Sequence, residues 1–163
     1  MQRVTNCILK SGNDVLTLQK PSRGWWVAPG GKMEQGESVR DSVVREFREE
    51  TGLQLKDPSL RGVFTILIEQ DRRIINEWML FTFFAESFAG EMLTESPEGI
   101  LAWKKTSDIQ DLPMAEGDYQ IFEHVLKHDK TVYGTFKYTE DFKLLFYRIE
   151  AEGEAPEEFH TGS

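Results

Sequence analysis

"GGKMEQGESVRDSVVREFREETGL", residues 30–53, decides how the rest of the chain is read. A flexible glycine pair is followed by a stretch with strong helical character. Ser38 stands where an N-cap would, with Asp41 three residues on as the capping-box acid. Gly52 sits where a helix C-terminus favours glycine. Val39, Val43, Val44 and Phe47 recur at helical spacing and mark the buried face of a helix over 38–51. Glu46, Glu49 and Glu50 are separated by three and four residues, so their carboxylates share one side of that helix. Like charges at that spacing repel by up to roughly 0.5 kcal/mol per pair. A solvated outer face tolerates this, and the run EFREE on its own implies no more. The preceding glycines change the reading, because they let backbone approach the acidic face closely. Clustered carboxylates suit a hard divalent cation that keeps some waters for substrate phosphates. Lys32 and Arg45 add cationic donors beside them.

The whole chain sets the bounds. Its 163 residues suffice for one domain with a real core, and 39% hydrophobic with 29% charged residues is ordinary for a soluble globular protein. The net charge of -9 argues against stable nucleic-acid binding. It does not bar phosphate chemistry, since a bound divalent metal reverses the local charge. Cys7 is the single cysteine, which excludes an internal disulfide and a cysteine-based zinc site; it reads as a small buried hydrophobe. Neither a signal-peptide core nor an apolar run of membrane-spanning length is present, so the expectation is a cytoplasmic protein with no membrane partner. His124 and His128 have a spacing that can bind zinc, but no third ligand lies near them in sequence.

Around the opening stretch, residues 2–10 and 15–19 read as strands joined by the turn at 11–14, followed by a loop at 20–24. Residues 62–69, 74–86 and 99–105 read as further strands, 117–129 as a second helix and 133–150 as a late hairpin. Residues 151–163 are acidic and poor in apolar side chains, and are expected to form a disordered tail after a domain spanning 1–150. Strands, helix, strands, helix predicts an α/β arrangement, a mixed sheet covered by helices.

The spacing inside residues 31–53 is more specific than its composition. Gly31, Glu37, Arg45, Glu46, Phe47, Glu49, Glu50, Gly52 and Leu53 fall in register with the pattern G-x5-E-x7-R-E-U-x-E-E-x-G-U, where U is a bulky apolar residue. Seven fixed residue types match by chance at a given start about once in a hundred million or less. The chain therefore resembles the Nudix hydrolases over residues 2–127. The resemblance implies the Nudix fold, a mixed β-sheet sandwiched between α-helices (α/β/α), here with an extra C-terminal β-hairpin. It implies hydrolysis of a nucleoside diphosphate linked to another group, with Mg2+ as cofactor and Mn2+ as a substitute. The metal positions carried over are Glu46, Glu49, Glu50 and the Gly30 carbonyl; Arg45 and Glu37 match the pair that organises the loop and carboxylates. Glu46 is the first candidate to take a proton from the attacking water, with Glu98 second.

Downstream, "ESPEG" at 95–99, Trp103 and "MAEGDYQIF" at 114–122 resemble MutT-like nucleoside triphosphatases, including those that clear oxidised purine nucleotides. The long segment through the box is also similar to the YvcI-type Nudix proteins of bacilli. Those relatives imply Glu98 as a further metal residue, and Glu116 and Asp118 as readers of the base edge. Both acids have the alternative of helping to start the second helix, and for Asp118 the cap is preferred. Trp26 or Trp25 could stack on a base while the other enters the core. Val27 departs from relatives that place an amide there, which implies a broader base range than oxidised guanine. The expectation is cleavage of nucleoside triphosphates, such as 8-oxo-dGTP, to monophosphate and pyrophosphate. Removal of pyrophosphate from RNA 5′ ends, cleavage of another nucleoside-diphosphate compound, and a sensor without turnover are the alternatives. The expected partner is a nucleotide, and a homodimer is left open.

Overall fold

Alternation along the first strand assigns the two faces of the sheet. In the computed structural model, which describes residues 1–161, β1 (Gln2–Ser11) sends Cys7 and Leu9 into one core and Ile8 into the other, as a pleated backbone requires. The chain continues through β2 (Asp14–Gln19), β3 (Trp26–Val27), β4 (Gly30–Lys32), α1 (Val39–Thr51), β5 (Gln54–Lys56), β6 (Ser59–Gln70), β7 (Arg73–Ala85) and β8 (Ser87–Ala89). β9 (Ile100–Lys105), a 3-10 turn (Thr106–Asp111), α2 (Glu116–Lys127), β10 (Val132–Thr139), β11 (Leu144–Ala151) and β12 (Glu157–His160) complete it. The main sheet is mixed, in the order β12-β11-β10-β6-β7-β1; β1 then passes to β2, and β4 adds to its free side. The expected strands and both helices are present with boundary shifts of up to three residues. β3, β4, β5 and β8 span only two or three residues each, too short to leave a periodicity in sequence.

α1 covers one face of the sheet. Val43 and Phe47 are fully buried against Cys7, Leu9, Leu16 and Phe83, and full burial of a side chain such as Phe47 contributes about 1.5–3 kcal/mol. The capping box forms as the sequence predicts: Asp41 N–H donates to Ser38 Oγ at 3.0 Å, and Ser38 N–H to Asp41 Oδ2 at 3.3 Å. Gly52 ends the helix at φ 82°, its N–H bonded to the Arg48 carbonyl. α2 lies on the opposite face, with Ile121, Phe122 and Val125 in the larger core. The two helices therefore sandwich the sheet. Among the described residues, no helix is long and apolar enough to cross a membrane.

The C-terminal hairpin is part of that sheet rather than an appendage. β10 runs parallel to β6 from Val132 opposite Gly62 to Thr139 opposite Glu69. Tyr138 in β10 also hooks the start of α2, accepting the Gly117 N–H at 2.9 Å. The tail departs from the expected disorder: Glu157–His160 forms β12 against β11. Phe159 stacks on Tyr147 at 5.6 Å, and Arg148 Nε reaches Glu158 at 3.2 Å. Low local hydrophobicity predicts disorder, but an open strand edge supplies backbone hydrogen bonds that composition cannot register. The last two residues of the predicted tail lie outside the described residues.

Candidate active site

Two glycines bring strand and helix together. Gly30 and Gly31 in β4 pair with Asn6 and Thr5 of β1. A Cβ on Gly30 would lie 2.0 Å from the Thr5 carbonyl oxygen, and one on Gly31 would lie 2.3 Å from Glu46 Oε2. A side chain at Gly30 would force β4 off β1, and one at Gly31 would displace the Glu46 carboxylate. The bare backbone instead lets Gly30 N–H donate to Glu50 Oε2 at 2.9 Å and seats the Glu46 carboxylate against Gly31.

Arg45 organises the acids. Its Nε and Nη2 form a two-point contact with Glu37, at 2.7 and 2.8 Å. Nη1 donates to Glu46 at 2.9 Å and Glu49 at 3.2 Å, and Nη2 to the Lys32 carbonyl at 3.2 Å. One guanidinium thus ties the loop before α1 to two acids on the helix, as the box predicts. The Arg45 hydrogen bond, helped by the Glu34 N–H, holds the Glu37 carboxyl down at about 2. Glu50 behaves differently. Burial pushes it up to about 7, against the opposing pull of the Gly30 N–H and Lys20, while Glu98 and Glu46 add repulsion. Glu98, in an exposed loop, is paired with Lys20 Nζ at 3.6 Å. Lys20 therefore sits electrostatically between Glu50 and Glu98, a role its loop position in the sequence did not announce.

The acids do not point to a common centre. Among the described residues, no three His, Cys, Asp or Glu side chains converge as a ready metal-ligand set. Arg45 draws Glu46 and Glu49 toward itself, and Glu50 is drawn to Gly30. Glu49 is the most open of the three and borders a groove on the outer side of α1 with Arg40 and Arg48. The donor set nevertheless fits a divalent cation. It consists of hard carboxylate oxygens beside backbone that has no Cβ to obstruct it, and Glu50 is a buried acid among other acids with a need for positive charge.

A cleft of about 710 Å3 leads from this cradle toward α2, bounded by Gly30, Gly31 and Glu50 at one end and by Trp78, Asp118 and Phe142 at the other. An apolar annex of about 300 Å3 continues it and shares Asp118, Val27, Trp78 and Phe142 with it. Lys32 borders the cleft as expected. Asp118 does too, and does not cap α2: Ala115 occupies that position without a side-chain cap bond. Burial raises the Asp118 carboxyl to about 7.

Two expected substrate residues are elsewhere. Trp26 is buried in β3 under Lys104, whose Nζ lies 4.4 Å from the ring, whereas Trp25 lines the annex. Extended backbone turns neighbouring side chains to opposite sides, and sequence could not say which faced the cleft. Glu116 is exposed beside Tyr119 and Phe159 in a separate groove. Two residues apart on a helix, Glu116 and Asp118 cannot face the same space. Asn6 was missed: it lines the cleft, and among the described residues its buried Oδ1 has no partner, nor has Oγ1 of its cross-strand neighbour Thr82. A polar residue inside the first strand was the only sequence signal.

Residues 1–125 match the NUDIX domain family model. The chain is 55% identical to the uncharacterized Nudix hydrolase YvcI of Bacillus subtilis over 93% of its own length and 96% of that protein. It superposes on a crystal structure of a MutT protein from Bacillus halodurans with a TM-score of 0.91 and 56% identity, covering 95% of this chain and all of the other. It is also 35% identical to an ADP-ribose pyrophosphatase of Methanocaldococcus jannaschii, over 52% of this chain and 50% of that one. Together with the glycine strand, the arginine clasp and the acidic helix face, these likenesses establish that the chain belongs to the Nudix hydrolase family, in its MutT-like branch.

Proposed function

We propose that this protein is a Mg2+-dependent nucleoside triphosphate pyrophosphohydrolase, releasing nucleoside monophosphate and pyrophosphate, with Mn2+ able to substitute. The observation that carries this reading is the continuity of one cleft, from the glycine backbone and Glu50 to an apolar annex containing a single carboxyl group, Asp118. Polyphosphate suits the first end and a base the second. The metal would be held by Glu46, Glu49 and Glu50 with the Gly30 carbonyl, joined by Glu98. When bound, a divalent ion lowers the pKa of water and neutralises charge on a leaving pyrophosphate.

The chain's own groups supply the rest. Arg45 fixes the orientation of Glu46 and Glu49 through the distances above. Glu46 takes the proton of the attacking water as its oxygen bonds to phosphorus and the bond to the leaving pyrophosphate oxygen breaks; Glu98 is the second candidate. Lys20 and Lys32 border the phosphate end. Asp118 offers polar atoms to a base, and Trp25 offers a ring face. Val27 lines the annex without hydrogen-bonding capacity, which favours a broad range of bases, oxidised purines such as 8-oxo-dGTP included.

The test is a panel of nucleoside triphosphates, 8-oxo-dGTP, ADP-ribose and 5′-triphosphorylated RNA, each with Mg2+ or Mn2+. Release of monophosphate and pyrophosphate from free triphosphates is the expected result. Turnover of ADP-ribose alone would move the site to nucleoside-diphosphate compounds, the reading favoured by the archaeal relative. Turnover of RNA alone would make it an RNA 5′-end enzyme, and nucleotide binding without turnover a sensor.

A further inference from the structure

Residues 140–143 join β10 to β11, and the Thr139–Lys143 pair closes a three-residue hairpin loop of Glu140, Asp141 and Phe142. Phe142 N–H donates to the Thr139 carbonyl at 2.9 Å, Thr139 N–H to the Lys143 carbonyl at 2.8 Å, and Lys143 N–H to Thr139 Oγ1 at 3.1 Å. The third residue of such a hairpin loop takes left-handed backbone, and Phe142 has φ 60°. Glycine is the ordinary occupant of that position, because a Cβ is crowded there and a bulky side chain is an outlier. A phenylalanine held in this conformation points to a use for its ring.

The ring projects into the cleft. Phe142 borders both the cleft and the annex. Its centroid lies 6.1 Å from Trp25, 5.7 Å from Tyr138 and 6.5 Å from Trp78, at interplanar angles of 81°, 51° and 51°. None of these is a parallel stack: the Trp25 contact is edge-to-face and the other two are tilted. The group over the ring is Arg23, whose Cζ lies 5.1 Å from the Phe142 centroid and 4.9 Å from that of Trp25. Arg23 has no ion-pair partner among the described residues. A planar delocalised cation resting against two rings marks a slot for a flat π-system. Gln70 Nε2 donates to Glu140 Oε2 at 2.8 Å, fastening the loop to the neighbouring hairpin.

We infer that Phe142, carried by the β10–β11 hairpin, is the base-stacking residue of the substrate site, forming with Trp25 and Arg23 a slot for a nucleobase. The inference rests on the nucleotide hydrolase reading above and adds its specificity element. The hairpin lies beyond the 1–125 family match whereas Trp25 and Arg23 lie within it, so the slot joins one residue outside the matched region to two inside it.

Kinetics and melting temperatures of Phe142→Gly and Phe142→Tyr test it, using a triphosphate that the unsubstituted enzyme hydrolyses. Removal of one stacking ring should raise KM by roughly 5- to 100-fold. We expect kcat to change less and discrimination among bases to shrink in the glycine variant. Its melting temperature should change little, since relief of the left-handed backbone offsets the lost ring packing, and Phe142→Tyr should keep KM near that of the unsubstituted enzyme. A glycine variant that melts lower but keeps its KM would make Phe142 a packing residue, overturning this inference while leaving the reading of the site intact. Absence of both nucleotide binding and turnover in the unsubstituted protein would overturn the two together.

Discussion

The loop and helix around residues 30–53 and the hairpin formed by β10 and β11 both reach the same cleft, by different physical routes. In the first, nearly every site residue is placed by local geometry. Gly31 leaves room for the Glu46 carboxylate, Arg45 reaches acids one and four residues away, and Glu37 is held eight residues back by the turn. In the second, Phe142 follows Trp25 by more than a hundred residues and meets it only because β10 pairs with β6. Local constraint leaves a spacing that can be read in a sequence; assembly across a sheet leaves none. The two regions should therefore fail differently, the box through kcat and the hairpin through KM.

The largest effect expected is from Glu46→Gln, which keeps the size of the side chain and removes the proposed proton acceptor. kcat should fall by about 10²- to 10⁴-fold with KM changed far less, read from steady-state kinetics. A loss confined to KM would abolish the contrast between the regions. Gly30→Ala strikes the box at its backbone. The added carbon would lie 2.0 Å from the Thr5 carbonyl, so stability should fall by about 1–3 kcal/mol in denaturant unfolding. Wild-type stability would show that β4 can shift without harm.

Asp118 sharpens the comparison at the far end of the cleft. Folding raises its carboxyl from 3.8 to about 7 by burial, so the native state keeps a proton that the unfolded chain releases. The stability linked to that proton is complete below about pH 4 and is lost as pH rises toward 7. Asp118→Asn should therefore gain in melting temperature over the unsubstituted protein at pH 8 relative to pH 4; an equal difference at both would mean that Asp118 ionises normally. The smallest effect expected is from Ser38→Ala, which removes the helix cap at a cost of about 1 kcal/mol and should leave kcat nearly unchanged.

Several features were legible beforehand because short-range physics fixes them. The capping box of α1, its glycine stop, its buried Val43 and Phe47, and the Arg45–Glu49 contact follow from helical spacing within 38–52, whereas the Arg45–Glu37 clasp was implied by the family resemblance. Asp118 was legible as a candidate, but its preference between capping and cleft was not, since Ala115 rather than an acid begins α2. Trp26 and Glu116 were misplaced for a related reason. Neighbours on a strand and residues two apart on a helix face different spaces, and sequence does not say which one faces the cleft. β12 escaped notice because its stabilising partner, the open edge of β11, exists only after the sheet has formed.

By itself the sequence determined the glycine-and-acid helix, its capping and its family, because these depend on residues within one or two turns of each other. The tertiary structure alone decided which tryptophan lines the cleft, that Lys20 stands between Glu50 and Glu98, and that Phe142 reaches back to Trp25. Those contacts cross strand pairings between distant segments, and the hydrogen bonds that set such pairings are made by backbone groups that nearly every residue carries alike.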